Sequence, residues 1–241
     1  MTFRLALAFM MQNDAHWLTL HLPLFQDSGV FDGAVCVDGG STDVSVLYVE
    51  SLGVSVYRRA FDWNFGVQGN FLIQCCEAEG YDALLRIDPD ETMFPQDMRR
   101  VREALQQHPG TLIGLQRRHF VGDRRHVHRD WQHDPQWRAW NLSDRRRYPE
   151  GQRVHEVPSH GVTDRLLLDD VYLFHYGYLK SAAEVNYRTA VYEALKQGVP
   201  LPKREDYADS TMDIPCVPYD GAQPLDPQVI GIHAPFEGEI A

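Results

Sequence analysis

The first 120 residues alternate short apolar runs with segments of helical spacing, and this alternation restricts the fold more than any other feature of the chain. Phe3–Met10 is apolar and ends at Gln12-Asn13-Asp14. Ala15–Gln26 carries Trp17, Leu18, Leu20, Leu22, Leu24 and Phe25 at helical spacing, with Pro23 expected to bend it or begin a new turn. Gly33–Val37 reads as a second strand, closed by Asp38-Gly39-Gly40-Ser41-Thr42-Asp43; a helix to about Leu52 then precedes a third strand at Val54–Arg58. Gly66–Glu79 reads as a helix, Tyr81–Ile87 as a fourth strand, Pro95–Gln107 as a helix and Thr111–Phe120 as a strand. The expectation is an α/β fold, a Rossmann-like and mostly parallel sheet flanked by helices. Ligands of such sheets sit beyond the carboxyl ends of the strands, where Asp14, Asp38 and Asp88 fall.

The pattern fails after Phe120. Residues 121–165 are polar, aromatic and basic, with little periodicity. Leu166–His175 is strand-like, and Ser181–Gln197 is a helix that Ser181 can cap, with Glu184 completing a capping box. From Gly198 onward, repeated prolines rule out long regular elements. The expected organisation is one domain over residues 1–197, with halves at 1–120 and 121–197, followed by an irregular proline-rich tail at 198–241.

Charge singles out the same second half. Between Arg117 and Arg165 there are eleven arginines and seven acids, inside a protein of net charge −11. Such a block suits contact with an anion such as phosphate, or a salt-bridged surface. The apolar runs are too short to span a bilayer, and no cleavage site follows Arg4 and its apolar run, so a cytoplasmic protein without a membrane span is expected. Cys36, Cys75, Cys76 and Cys216 lack metal-site spacing and read as reduced thiols.

Two constellations carry chemistry. In Asp88-Pro89-Asp90-Glu91, two carboxylates one residue apart at a strand end can face one hard divalent cation, Mn²⁺ or Mg²⁺, with substrate phosphates completing its shell. In Asp38–Asp43 the glycines permit close backbone approach, the next helix offers free N–H groups, and Asp38 can accept hydrogen bonds from a ribose or base.

Together these residues resemble the family 2 glycosyltransferases of the GT-A fold. The likeness runs through Met11-Gln12-Asn13-Asp14, Gly29–Asp32, the Val37–Asp43 turn and Phe61–Asn70, and is strongest at Leu84–Glu91. Asp14 stands where the family more often has Glu, and Asn70 lacks the usual neighbouring arginine. Trp131–Arg138, Val154-His155-Glu156 and Phe174-His175-Tyr176 followed by Lys180-Ser181 are similar to segments of a subgroup that includes bacterial lipopolysaccharide-core transferases.

The resemblance implies inverting transfer of a sugar from a nucleotide diphosphate donor, UDP-linked, to an acceptor hydroxyl. It implies a metal held by Asp90, by Asp88 directly or through water, and by His175 as third ligand. Asp14 and Asp38 would bind the nucleoside, with Ser41, Asp43, Asn70, Asp88 and Arg138 in the donor site. Asp134 or Glu156 would be the base; for either, a salt bridge to the surrounding arginines is the alternative. Arg138 and Arg153 can grip phosphate, and Trp131, Trp137 and Trp140 either stack on rings or fill the core. The acceptor is a saccharide, which can be phosphorylated, or a nucleic acid. A sugar nucleotidyltransferase and a non-catalytic glycan- or nucleic-acid-binding protein on the same fold are the other readings.

Overall fold

The computed structural model describes residues 2–149, 151, 153–154, 157–158, 164–208, 211 and 214–225. The strands and helices, in chain order, are β1 Leu5–Met11, α1 Ala15–Asp27, β2 Gly33–Asp38, α2 Ser45–Ser51, β3 Ser55–Arg58, α3 Phe65–Ala78, β4 Ala83–Ile87, β5 Glu91–Thr92, α4 Pro95–Gln107, β6 Leu112–Val121, β7 Asp123–His128, β8 Pro135–Asn141, β9 Arg165–Tyr178, α5 Ala182–Gln197 and β10 Cys216–Pro218. One sheet takes the order β10-β7-β6-β8-β4-β1-β2-β3, and β9 pairs with β6 and with β5.

The first half is the expected parallel unit: β1 pairs in parallel with β2 and β4, and β2 with β3. Side chains of β1 alternate between two cores, as a pleated strand requires. Leu5, Leu7, Phe9 and Met11 pack with Leu18, Leu22 and Phe25 of α1, Val46 and Val49 of α2, and Met98 and Val101 of α4. Ala6 and Ala8 face the other way, onto Leu72, Ile73 and Cys76 of α3. Pro23 does not end α1. The helix loses one backbone bond there, but it is held by the burial of Leu22 and Phe25, each worth about 1.5–3 kcal/mol.

Beyond β4 the sheet turns antiparallel. β8 runs against β4 and β6, and β7 against β6 and β10. β7 and β8 lie in the stretch without apolar periodicity, and β10 lies in the proline-rich tail. β9 pairs in parallel with β6 and bends across to meet β5. Phe120 of β6 stacks on Tyr176 of β9 (ring centroids 4.9 Å apart), beside Trp17 and Phe174 in a third core.

Ser181 caps α5 as expected, its Oγ accepting from the Glu184 N–H at 3.3 Å, and Gly198 ends the helix at φ 69°. The reciprocal half of the box is absent: Glu184 turns to Arg188 and Arg204 instead. Among the described residues no helix is long and apolar enough to cross a membrane.

Candidate active site

β1 and β2 end side by side, Met11 opposite Asp38, and the loops that follow are tied together. Asn13 Oδ1 accepts from the N–H groups of Thr42 (2.7 Å) and Asp43 (3.2 Å), while its own N–H donates to Ser41 Oγ at 2.9 Å. Asp43 Oδ2 accepts from the Ala15 N–H at 3.3 Å, and Ser45 Oγ from the Asp14 N–H at 2.9 Å. Asp38 is buried and closes its own turn by accepting from the Ser41 N–H at 3.0 Å, with Gly40 supplying the left-handed φ of 106°. Asp14 accepts from the Gln12 N–H at 2.9 Å; burial nonetheless raises its carboxyl to about 6. This rim therefore gathers Asp14, Asp38, Ser41 and Asp43, the last two as braces of the loop.

The acidic turn follows β4. Asp88 and Asp90 were expected to share an ion, but their carboxylates face different partners. Asp88 accepts from Arg138 at 2.8 Å and from Arg86 at 3.2 Å, and these guanidinium groups outweigh burial and hold it well below the usual carboxylate range. Arg138 comes from β8, the strand that apolar periodicity could not reveal. It is 5% exposed and also pairs with the fully buried Glu91, so it braces this turn from within rather than presenting its guanidinium outward to phosphate.

Asp90 belongs to a second cluster. The N–H of Tyr176 donates to Asp90 O at 2.9 Å and Glu91 registers against His175, so β9 delivers His175 to the turn. His175 Nε2 lies 3.6 Å from Asp90 Oδ1, and Lys180 Nζ donates to Asp90 Oδ2 at 3.0 Å. Burial works to raise Asp90, but Lys180 and the neighbouring His175 and Arg188 pull it well below the ordinary range. Gly177 keeps the space between the donors clear. A Cβ at that position would sit 2.5 Å from His175 Nε2 and 2.8 Å from Asp90 Oδ2. Among the described residues no three His, Cys, Asp or Glu side chains gather as a metal cluster.

Before β8, Asp134 accepts from Arg117 Nε at 2.9 Å, contacts His119 Nε2 at 2.8 Å, and accepts from Gln136 at 2.9 Å through its other oxygen. Burial raises its carboxyl, and His119 and Arg117 outweigh that effect and lower it strongly. Asp134 is thus held by three neighbours, the ion pair with Arg117 among them. Glu156 lies outside the described residues.

Asn70, on α3, faces the chain at Tyr148. It trades hydrogen bonds with the backbone of Tyr148 at 2.8 and 2.9 Å and anchors the chain there. Trp140 is core, Trp137 is half-buried with Arg165 over its ring, and Trp131 is 44% exposed, stacked on His128 at 3.9 Å and edge-on to His119. Sequence reasoning gave no role to Lys180, Gly177 or His119, and placed Arg117 only within the arginine block. Arg117 and His119 alternate on one face of β6, so the signal was a period of two in charged residues, where only apolar ones had been tracked.

No curated protein matches the chain. Among solved structures it is similar to Staphylococcus aureus TarS residues 1–349 in complex with UDP-GlcNAc, with TM-score 0.54 and 13% identity over 85% of this chain and 69% of that one. Against a longer TarS chain the TM-score is 0.52 with 12% identity, and the match covers 85% of this chain and 41% of that one. At such identities the likeness establishes the fold, a GT-A-type sheet flanked by helices. The sequence profile described as "Glycosyl transferase family 2" matches residues 32–171, more than half of the chain, and so this chain belongs to glycosyl transferase family 2.

Proposed function

We propose that this family 2 chain transfers a glycosyl group from a nucleotide diphosphate sugar, UDP-linked, to an acceptor hydroxyl with inversion at the anomeric carbon. The observation that carries the reading is the clear space between Asp90 and His175, reserved by Gly177, on the rim that Asp14 and Asp38 share. The UDP-GlcNAc complex of S. aureus TarS is an instance of this fold holding such a donor.

A divalent ion fits that space. Mn²⁺ and Mg²⁺ are commonly held by few protein donors, with substrate phosphates and water filling the rest of the shell. One carboxylate oxygen and one imidazole nitrogen supply that small set, with Asp88 reaching the ion only through water because its oxygens are held by Arg138 and Arg86. When bound, Mn²⁺ or Mg²⁺ would neutralise charge on the departing diphosphate. The chain's own groups do the rest. Asp38 and Asp14 receive the nucleoside, while Ser41, Asp43 and Asn13 hold their loops in place. Lys180 keeps Asp90 ionised and adds a fixed positive charge beside the leaving group. Trp131 offers an exposed ring on the acceptor side, suited to stacking on a sugar.

We read the acceptor as a saccharide, because four arginines of the block are engaged inside the protein. Arg117 and Arg138 are bound to acids of the site, Arg147 pairs with Glu77 at 2.7 Å, and Arg146 is buried against Gly110 and Asp144. Guanidinium groups engaged in this way do not form a free phosphate-tracking surface.

The test is release of nucleotide diphosphate from a set of nucleotide sugars, with Mn²⁺, Mg²⁺ or chelator, in the wild type and in Asp90→Asn. Metal-dependent release, at least about 100-fold slower in the variant, is expected. Release that survives Asp90→Asn unchanged overturns the metal assignment. Pyrophosphate formation from a nucleoside triphosphate and a sugar phosphate would replace glycosyl transfer with nucleotidyl transfer.

A further inference from the structure

We propose that Asp134 and His119 are positioning residues that fix the tautomer of His175, so that its Nε2 lone pair faces Asp90. The argument runs along three contacts. Asp134, an ionised carboxylate, only accepts, and its Oδ2 lies 2.8 Å from His119 Nε2, so that nitrogen carries the hydrogen. Arg117 Nε lies 3.2 Å from the same nitrogen and 2.9 Å from Asp134 Oδ2; its N–H therefore goes to the carboxylate. The opposite assignment would leave a bare nitrogen lone pair facing a carboxylate oxygen at 2.8 Å. His119 is 2% exposed with a guanidinium beside it, so its ring is neutral and its Nδ1 is bare. That bare Nδ1 lies 2.9 Å from His175 Nδ1, a separation that needs one hydrogen between the two, and only His175 can supply it. His175 then keeps its lone pair on Nε2.

The relay matters because Asp90 favours the other outcome. With only a carboxylate 3.6 Å from Nε2, the isolated ring gains by placing its hydrogen on Nε2 and closing that lone pair to any ligand. Asp134 and His119 oppose this from the far side, and Gly177 leaves room in front of the exposed lone pair. A histidine ring oriented through its second nitrogen by an outer acceptor is the arrangement that makes imidazole a good metal ligand. The relay itself needs no ion. Its consequence for metal affinity rests on the function proposed above.

Long-range ¹H–¹⁵N NMR of histidine side chains, in chelator-treated full-length protein, reads the tautomer directly. The wild type is expected to show His175 protonated on Nδ1 and bare on Nε2. In His119→Phe, which keeps a ring but no acceptor, the hydrogen should move to Nε2. His119→Asn, whose amide oxygen can accept from Nδ1, should retain the wild-type signature. Mn²⁺ affinity by electron paramagnetic resonance, with UDP present, should fall about 10- to 100-fold in His119→Phe and recover in His119→Asn. A wild-type His175 protonated on Nε2 overturns the relay without recourse to any variant, and so does a folded His119→Phe with an unchanged signature. The expected tautomers without Mn²⁺ binding in the wild type would uphold the relay and remove only the metal assignment.

Discussion

The two halves of the sheet bury different things. Around β1, β2 and β4 the interior is mostly apolar on both faces, with Arg86, Gln68 and His21 as buried polar members. Around β6, β8 and β9 the interior also encloses Arg138, Glu91, His119 and Gln116, each under 6% exposed and most of them joined to one another or to Asp88 and Asp134. The first half is stabilised chiefly by removing apolar surface from water. The second depends on a connected polar network, in which removing one member leaves its partners buried and unpaired. The rim of Asp14 and Asp38, built on the first, and the cluster of Asp134, His119 and His175, built on the second, therefore rest on different forces.

The largest effect should come from breaking that network at its centre. Arg138→Leu leaves Asp88 and Glu91 without their shared cation, and unfolding in urea should show a loss of about 3–5 kcal/mol. Arg138→Leu with Glu91→Leu, which removes the pair together, should recover a good part of that. If the single variant loses less than about 1 kcal/mol, the contrast between the halves is wrong. Next is a pH effect at the seam between them. His21, buried against Trp17 and Tyr176, has its imidazole pushed down to about 4 by burial, against 6.5 when free. As pH falls the unfolded chain takes the proton first, so His21 carries no penalty above pH 6.5 and costs stability progressively down to pH 4, by about 3 kcal/mol at the lower end. His119, also lowered to about 4 chiefly by burial, acts in the same direction. Asp14, raised to about 6, opposes them. Comparing the melting-temperature profile of His21→Phe with the wild type isolates the first term: the variant should be flatter between pH 6.5 and 4.

The same contrast explains what could be read from sequence. Leu5–Met11 and Ala83–Ile87 announce themselves because strands buried on both faces are continuous apolar runs, and Asp38-Gly39-Gly40 punctuates the chain where the strand must stop. Asp38, Asp90 and His175 could be singled out as candidates for that reason, each sitting at or near the end of a legible strand or on one. Asp123–His128 and Pro135–Asn141 were not legible: their buried positions mix Val127, Ala139 and Trp140 with His128, Arg138 and Asn141, and the mixture breaks the apolar period. The reassignment of Arg138 from phosphate contact to internal ion pair follows directly, since its role is set by β8 lying against β4. Gly177 had no local signal at all, because its requirement comes from side chains of residues 90 and 175.

Gly177→Ala probes the seam at smaller cost to the fold. Its methyl group would crowd His175 Nε2 and Asp90 Oδ2, so the wild-type gain in melting temperature from UDP with Mn²⁺ should shrink or vanish, while the protein without ligand melts within a few degrees of wild type. An undiminished Mn²⁺-dependent shift would show that the space between those donors is not used.

The smallest effect separates propensity from network. Ser181→Ala removes the cap on α5, whose Oγ accepts from the Glu184 N–H, and should lower stability by about 1 kcal/mol in urea unfolding. Lys180 precedes that cap and holds Asp90 from across the site, so fraying of the first turn loosens the ammonium as well. A purely local cap would give the same loss in Ser181→Ala whether or not residue 180 can bind Asp90. Coupling through the site would make the loss smaller in a Lys180→Met background, because the contact being loosened is already gone. The double-mutant cycle thus tests whether the helix end belongs energetically to the apolar fold or to the charged cluster, and an interaction of about 0.5 kcal/mol or more assigns it to the cluster.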